Sequence, residues 1–329
     1  PVPAEGSRQT GKDTRMRRQG FLLLAALLLG AWSPDRPVRV VVGFPPGGAG
    51  DLTARLIGEM AAARFGQQAV IENRTGANGA IAAEVVARSG TDGLTVLQCP
   101  MGTMTIAPNL PGQRLPVDVT TELVPVANLA FSTYGLVVAA NGRFADVPAL
   151  LAEARARPGA LSFASAGIGS AQHLSGEMLK RMARIDVVHV PYRGGAPAII
   201  DLIGGRVDFF ITNLADVSGQ LRDGALRLLA VADDTGHPGF PAAPLSRFVP
   251  GFSITGWFGV CAPRGMPAEA VTAWAGALEA GLARPEWQKR LLDNGLTPQF
   301  EAQAAFGARM TANRAQFREL IEAAGIRAE

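Results

Sequence analysis

The sequence predicts an α/β fold with largely parallel strands. Short β-branched runs alternate with longer helical periodicities from Arg36 onward, and four strand-to-helix junctions carry glycine beside small or hydroxyl residues. A chain of 329 residues, 48% hydrophobic and 18% charged, holds enough apolar material for about two domains.

The elements follow in order. Val38 to Phe44 is the first strand; Pro45-Pro46 stops its ladder, the glycines of Gly47-Gly48-Ala49-Gly50 allow positive φ, and Asp51 stands where an N-cap would open a helix to about Phe65. Leu52, Leu56 and Met60 recur on one face of that helix. Ala69 to Glu72 is the next strand, followed by the turn Thr75 to Gly79 and a helix from Ala80 to Ala87, then a strand from Leu94 to Gln98. Gly135 to Ala139 reads as strand, Val147 to Ala156 as helix, and Leu161 to Ser165 as a strand ending in a third small-residue turn before the helix Ala171 to Met182. The strand Val187 to Tyr192 leads through Arg193-Gly194-Gly195 into a helix from Pro197 to Ile203, and Val207 to Thr212 is a strand ending at Asn213. After Gly256 come a strand (Phe258 to Ala262) and helices near Ala268 to Ala283, Pro285 to Asn294 and Ala302 to Ala324.

Ligands of open α/β sheets bind at the carboxyl ends of strands, and helix N-termini present free N–H groups. The four turns therefore predict a site of backbone amides that faces a carboxylate or similar anion.

Charge and motif content exclude several chemistries. The net charge of +3 resides in residues 1 to 33, where Arg8, Lys12, Arg15, Arg17 and Arg18 outnumber Glu5 and Asp13, so the folded remainder has no net basic charge for phosphate neutralisation. The only lysines are Lys12, Lys180 and Lys289, so no P-loop is present, and Gly47-Gly48-Ala49-Gly50 lacks the dinucleotide spacing. Cys99 and Cys261 have no metal-binding or redox spacing; they read as isolated small hydrophobes, with a bridge left open. Three scattered histidines, His173, His189 and His237, form no zinc motif. Ala164-Ser165-Ala166-Gly167 partly imitates a nucleophile elbow without its first glycine, which keeps an α/β serine hydrolase using Ser165 and a histidine as an alternative. At the N-terminus, Met16-Arg17-Arg18 precedes the apolar run Phe21 to Trp32, the pattern of a secretory signal and too short for a bilayer span of about 20 residues.

Several ordered motifs resemble one family: Gly43-Phe44-Pro45-Pro46-Gly47-Gly48-Ala49-Gly50-Asp51, Glu72-Asn73-Arg74 with Gly76-Ala77-Asn78-Gly79, Ser165-Ala166-Gly167-Ile168-Gly169-Ser170, His189-Val190-Pro191-Tyr192-Arg193-Gly194-Gly195, and Trp257-Phe258-Gly259. Together they are similar to the Bug-type extracytoplasmic solute-binding receptors of tripartite tricarboxylate transporters, over residues 35 to 327. The resemblance implies a type II periplasmic-binding-protein fold, two α/β domains with the ligand cleft between them. Domain 1 would combine 35–135 with 256–329, domain 2 would be 136–255, and 1–33 would be an extension and signal peptide.

Carried onto this chain, the resemblance implies that Pro46, Gly47, Gly48, Ala49 and Asp51, together with Ser165, Ala166, Gly167, Ile168, Gly169 and Ser170, offer amides and hydroxyls to a ligand carboxylate. Gly102, Thr103, His173, Tyr192 and Asn213 would complete the walls. Phe44 and Trp257 stand as apolar wall or core, and Asp51 as either a loop-fixing cap or a contact to a ligand N–H or hydroxyl. The expectation is a periplasmic, monomeric receptor for a small carboxylate that docks on membrane permease subunits, with no catalysis, cofactor, metal or nucleic acid. A ligand-sensing module for a signalling partner is the other alternative.

Overall fold

The computed structural model describes residues 32–327. Strand β1 (Val38–Val42) is almost wholly buried because it runs parallel between β2 (Ala69–Asn73) and β3 (Thr95–Pro100) and has helices on its faces. Strand β3 pairs antiparallel with β9 (Thr255–Pro263), and β9 with residues Leu123 to Thr133 of β4 (Leu123–Ala139), whose other side carries β10 (Leu296–Ala302). From Tyr134 onward β4 belongs to a second sheet. There it lies between β7 (Phe209–Asn213) and β8 (Leu226–Val231), and β7 continues in parallel to β5 (Ser162–Ser165) and then β6 (Val188–Pro191). One strand of 17 residues thus joins two sheets.

Helices cover both sheets. In chain order they are α1 (Ala49–Phe65), α2 (Ala80–Ala87), α3 (Val147–Ala156), α4 (Ala171–Ala183), α5 (Gly195–Ile203), α6 (Leu214–Arg222), α7 (Ala268–Leu282), α8 (Pro285–Asp293) and α9 (Gln303–Ala324). Under the first sheet's outer face, Leu56, Ile57 and Met60 of α1 pack with Trp274 and Leu278 of α7, and the buried Trp274 indole donates to the Gly93 carbonyl at 2.8 Å. In the second sheet, Val137 and Phe210 pack beneath Ile199 and Leu202 of α5 and Val217 of α6. A third cluster runs through both sheets and includes Cys99, Leu136, Phe163, Trp257 and Phe306, so a continuous apolar interior backs the cleft.

Several elements differ from the sequence reading. Strand β4 begins at Leu123, not Gly135; its buried Asn128, Ser132 and Thr133 break the alternation that would have marked it. Strands β8 and β10 and helix α6 lie in stretches to which the sequence assigned nothing. Helix α1 is capped by Gly48 without a side-chain bond, so Asp51 is a first-turn residue, not its N-cap. The helix predicted from Pro197 starts two residues earlier, at Gly195.

Cys99 and Cys261 lie on adjacent strands, where Cys99 faces Gly259 and Cys261 faces Leu97. Both are buried free thiols, and burial, with Cys261 beside it, pushes the Cys99 thiol well up. The secretory-signal reading falls outside the described residues except for its last positions. Of these, Trp32 packs edge-on against Phe65 at 5.5 Å between centroids and donates to the Asp92 carbonyl at 2.9 Å. Among the described residues, no helix is long and apolar enough to cross a membrane.

Candidate ligand-binding site

The carboxyl ends of β1 and β3 face those of β5 and β7 across a gap floored by β4 and β9. Glycine-rich turns enter it from both sides. In the first sheet, Gly47 adopts φ +92° and donates its N–H to Asp51 Oδ2 at 3.1 Å. Asp51 also accepts from Arg55 at 2.9 Å and from Asn73 Nδ2 at 3.1 Å, while Asn73 donates to the Phe44 carbonyl at 2.9 Å. Burial pushes the Asp51 pKa up, but the bonds from Arg55, Asn73 and Gly47 outweigh it and hold the group below its usual value. Asp51 therefore fixes the turn and does not line the cleft, which selects the first of the two roles the sequence left open.

The cleft has two connected parts. An inner chamber of about 50 Å³ is bounded by Phe44, Gly48, Ala49, Gly102, Ala166 and Asn213 among the predicted residues, and by Tyr134, Gln172 and Asp216, which the prediction did not include. Met101, Trp257 and Phe258 complete its apolar wall, so Trp257 serves both chamber and core; its indole donates to Asn313 at 2.9 Å. An outer chamber of about 510 Å³ shares Phe44, Pro45, Asn78 and Ala166 with the inner one and adds Gly167, Ile168, Tyr192 and Arg193.

Most of the remaining predicted residues lie outside these linings. Pro46 and Gly47 are exposed on the turn. Thr103 donates to the Asn78 carbonyl at 2.7 Å. Gly169, at φ +76°, presents its carbonyl to Asn78 Nδ2 at 2.8 Å, a bond between the two sheets' loops. The Ser170 hydroxyl caps α4 by accepting the His173 N–H at 3.1 Å. Ser170→Ala should accordingly lower stability by about 1 kcal/mol, read from thermal unfolding; an unchanged midpoint would show that the cap contributes nothing.

Ser165 is fully buried behind Ala166. Its Oγ lies within hydrogen-bond distance of His189 Nε2, at 2.7 Å, and accepts the Gly167 N–H at 3.1 Å. His189 is sandwiched between Phe163, at 4.9 Å, and His173, at 4.2 Å. Burial lowers the pKa of His173 to about 4, with Lys180 adding to it; burial, then His173 and Lys180, lower that of His189 to about 3. Both rings are therefore neutral at pH 7. The Tyr192 hydroxyl donates to Asp201 at 2.8 Å, so that ring forms wall without a free polar tip.

Asp216 was missed because α6 itself was unread; an acidic residue three positions after a strand end is the available signal, a first-turn carboxylate. Among the described residues, no three His, Cys, Asp or Glu side chains group to hold a metal ion.

A family model described as "tripartite tricarboxylate transporter family receptor" matches residues 53–326. The chain belongs to this family. Protein BugT of Bordetella pertussis is 34% identical over 239 residues, covering 70% of this chain and 72% of BugT. Among solved structures, an R. palustris protein with adipate superposes with a TM-score of 0.85 at 32% identity, over 89% of this chain and 99% of that one. MatC from Rhodopseudomonas palustris with bound malate gives 0.82 at 30% identity, over 88% and 99%. The family receptor thus has the two-domain periplasmic-binding fold expected from its motifs, and its family serves transport.

Proposed function

We propose that this receptor works in the periplasm, closes its two lobes around a small carboxylate and presents it to membrane permease subunits. The lobes are 35–135 with 256–329, and 136–255, hinged where β4 passes from one sheet into the other. The observation that carries the reading is the pair of connected chambers walled by amide-bearing turns of both sheets, in a family whose structural neighbours hold adipate and malate. Preorganised amides and exclusion of water supply affinity without covalent chemistry. Closure is biased by contacts that only the closed form makes with ligand.

The Ser165–His189 contact favours a hydrolase on distance alone. Against it, the hydroxyl is buried behind Ala166 and bonded from two sides, and among the described residues no carboxylate bonds the imidazole. Hydrolysis of a small ester that disappears in Ser165→Ala would establish that rival.

A melting-temperature screen against mono-, di- and tricarboxylates, hydroxy acids and acidic amino acids tests the receptor reading. A ligand at about 100 times its dissociation constant adds about 2.7 kcal/mol, a readily measured rise. No shift from any acid, in protein shown ligand-free by native mass spectrometry, would refute it.

A further inference from the structure

Asp216 sits in the first turn of α6 and lines the inner chamber. Its Oδ1 accepts the Ala49 N–H, at the start of α1 in the opposite lobe, at 2.8 Å. Its Oδ2 accepts the Thr212 hydroxyl at 2.8 Å and Asn213 Nδ2 at 3.2 Å. A carboxylate offers about four acceptor positions, so three are filled, all by neutral donors, and Oδ1 retains room for one more. Among the described residues Asp216 has no ion-pair partner, and no basic side chain lines the inner chamber.

The outer chamber has the opposite character. Arg193 lines it, and among the described residues the N–H groups of Ile168 and Arg193 have no hydrogen-bond partner. A ligand carboxylate finds donors and a cation there, whereas one pushed inward would meet the Asp216 charge with no cation among the described residues of the inner chamber to offset it. The inner chamber, at about 50 Å³, has space for a group the size of an ammonium or hydroxyl with its water.

Building on the carboxylate-receptor reading, we infer that the ligand is a carboxylic acid that also carries an amino, amide or hydroxyl donor, held with the donor inward on Asp216 and the carboxylate outward, and that Asp216 selects against plain dicarboxylates. The Ala49 amide, which the ligand's carboxylate would otherwise claim, is reserved by the protein's own carboxylate. Repulsion of the wrong ligand and reward of the right one then act at the same atom.

Titration calorimetry on matched acids tests this: succinate against malate and aspartate, glutarate against glutamate and 2-hydroxyglutarate, and adipate against 2-aminoadipate. The donor-bearing member of at least one set should bind about tenfold tighter or more, the increment of a hydrogen bond to a charged group. Asp216→Asn, which keeps an acceptor for Ala49, should remove most of that ratio while the unliganded melting temperature shows the variant folded. Plain diacids binding as tightly as their partners, or an unchanged ratio in a folded Asp216→Asn, would overturn the inference. If the variant does not fold, the wild-type ratios alone decide. Failure of every acid to bind would refute the receptor reading, and the inference falls with it.

Discussion

Gly43→Ala lowers both stability and ligand affinity, although it adds a single methyl group. The new Cβ would sit inside van der Waals distance of the Gly79 Cα and 3.1 Å from the Gly79 carbonyl oxygen, so the obstacle is backbone and not a side chain that can swing away. Gly79 cannot retreat easily: it holds φ +85°, and the Thr103 hydroxyl lies against its other side. These two glycines clamp the turn after β1 to the turn after β2, and residues of both turns line the cleft. Overpacking of this kind costs about 1–3 kcal/mol, and the shifted turns should weaken binding about tenfold or more. Gly276→Ala is the control: it lies within α7 with nothing near its Cβ, and alanine there should raise stability by about 0.5–1 kcal/mol. A Gly43→Ala protein as stable and as tight-binding as the parent would show that the two turns are not clamped.

Acidification from pH 6.5 to about 4 should destabilise the unliganded protein by several degrees of melting temperature. His173 and His189 are held neutral by burial, with pKa values of about 4 and 3, and burial lowers His237 as well. In the unfolded chain the same imidazoles take up protons near 6.5. The unfolded state therefore binds more protons throughout that window, so the contribution is fully present above about pH 6.5 and is lost as pH falls toward the folded values. Asp51, Glu72 and Asp118, whose carboxylates are held below their usual values, add acid sensitivity only at lower pH. Protonation of both His173 and His189 would also set two stacked cations against each other beside Lys180. Double replacement His173→Gln with His189→Gln should flatten the profile between pH 6.5 and 5. A parental profile that is already flat there would show that the stack titrates normally.

Much of the site was legible because its signals are local. Proline and glycine at a strand end mark a turn whatever the rest of the chain does, so the turns Pro45 to Gly50 and Ala166 to Gly169 could be placed at strand ends from sequence, and residues of both line the cleft. The helix predicted from Ala171 begins there, with the Ser170 hydroxyl, expected as a ligand contact, bonded three residues ahead as its cap. The errors came where a residue's job is set by something distant. Asp51 was left open between loop-fixing cap and ligand contact because the sequence does not reveal that Arg55, Asn73 and the Gly47 amide already occupy its oxygens. Strand β4 was half missed because it changes sheets midway, which mixes two burial patterns in one run.

The sequence by itself determined the alternation of strands and helices, the glycine turns at strand ends, the absence of net basic charge in the folded part and the family. These depend on backbone preferences and periodicities over a few residues. Only the tertiary structure decided that β4 is shared between two sheets, that His189 is stacked between Phe163 and His173, and that Asp216 meets an amide 167 positions away. Such encounters follow from strand order and the facing of two lobes, and their energies depend on burial and on which donors are already taken, quantities that exist only once the chain has closed upon itself.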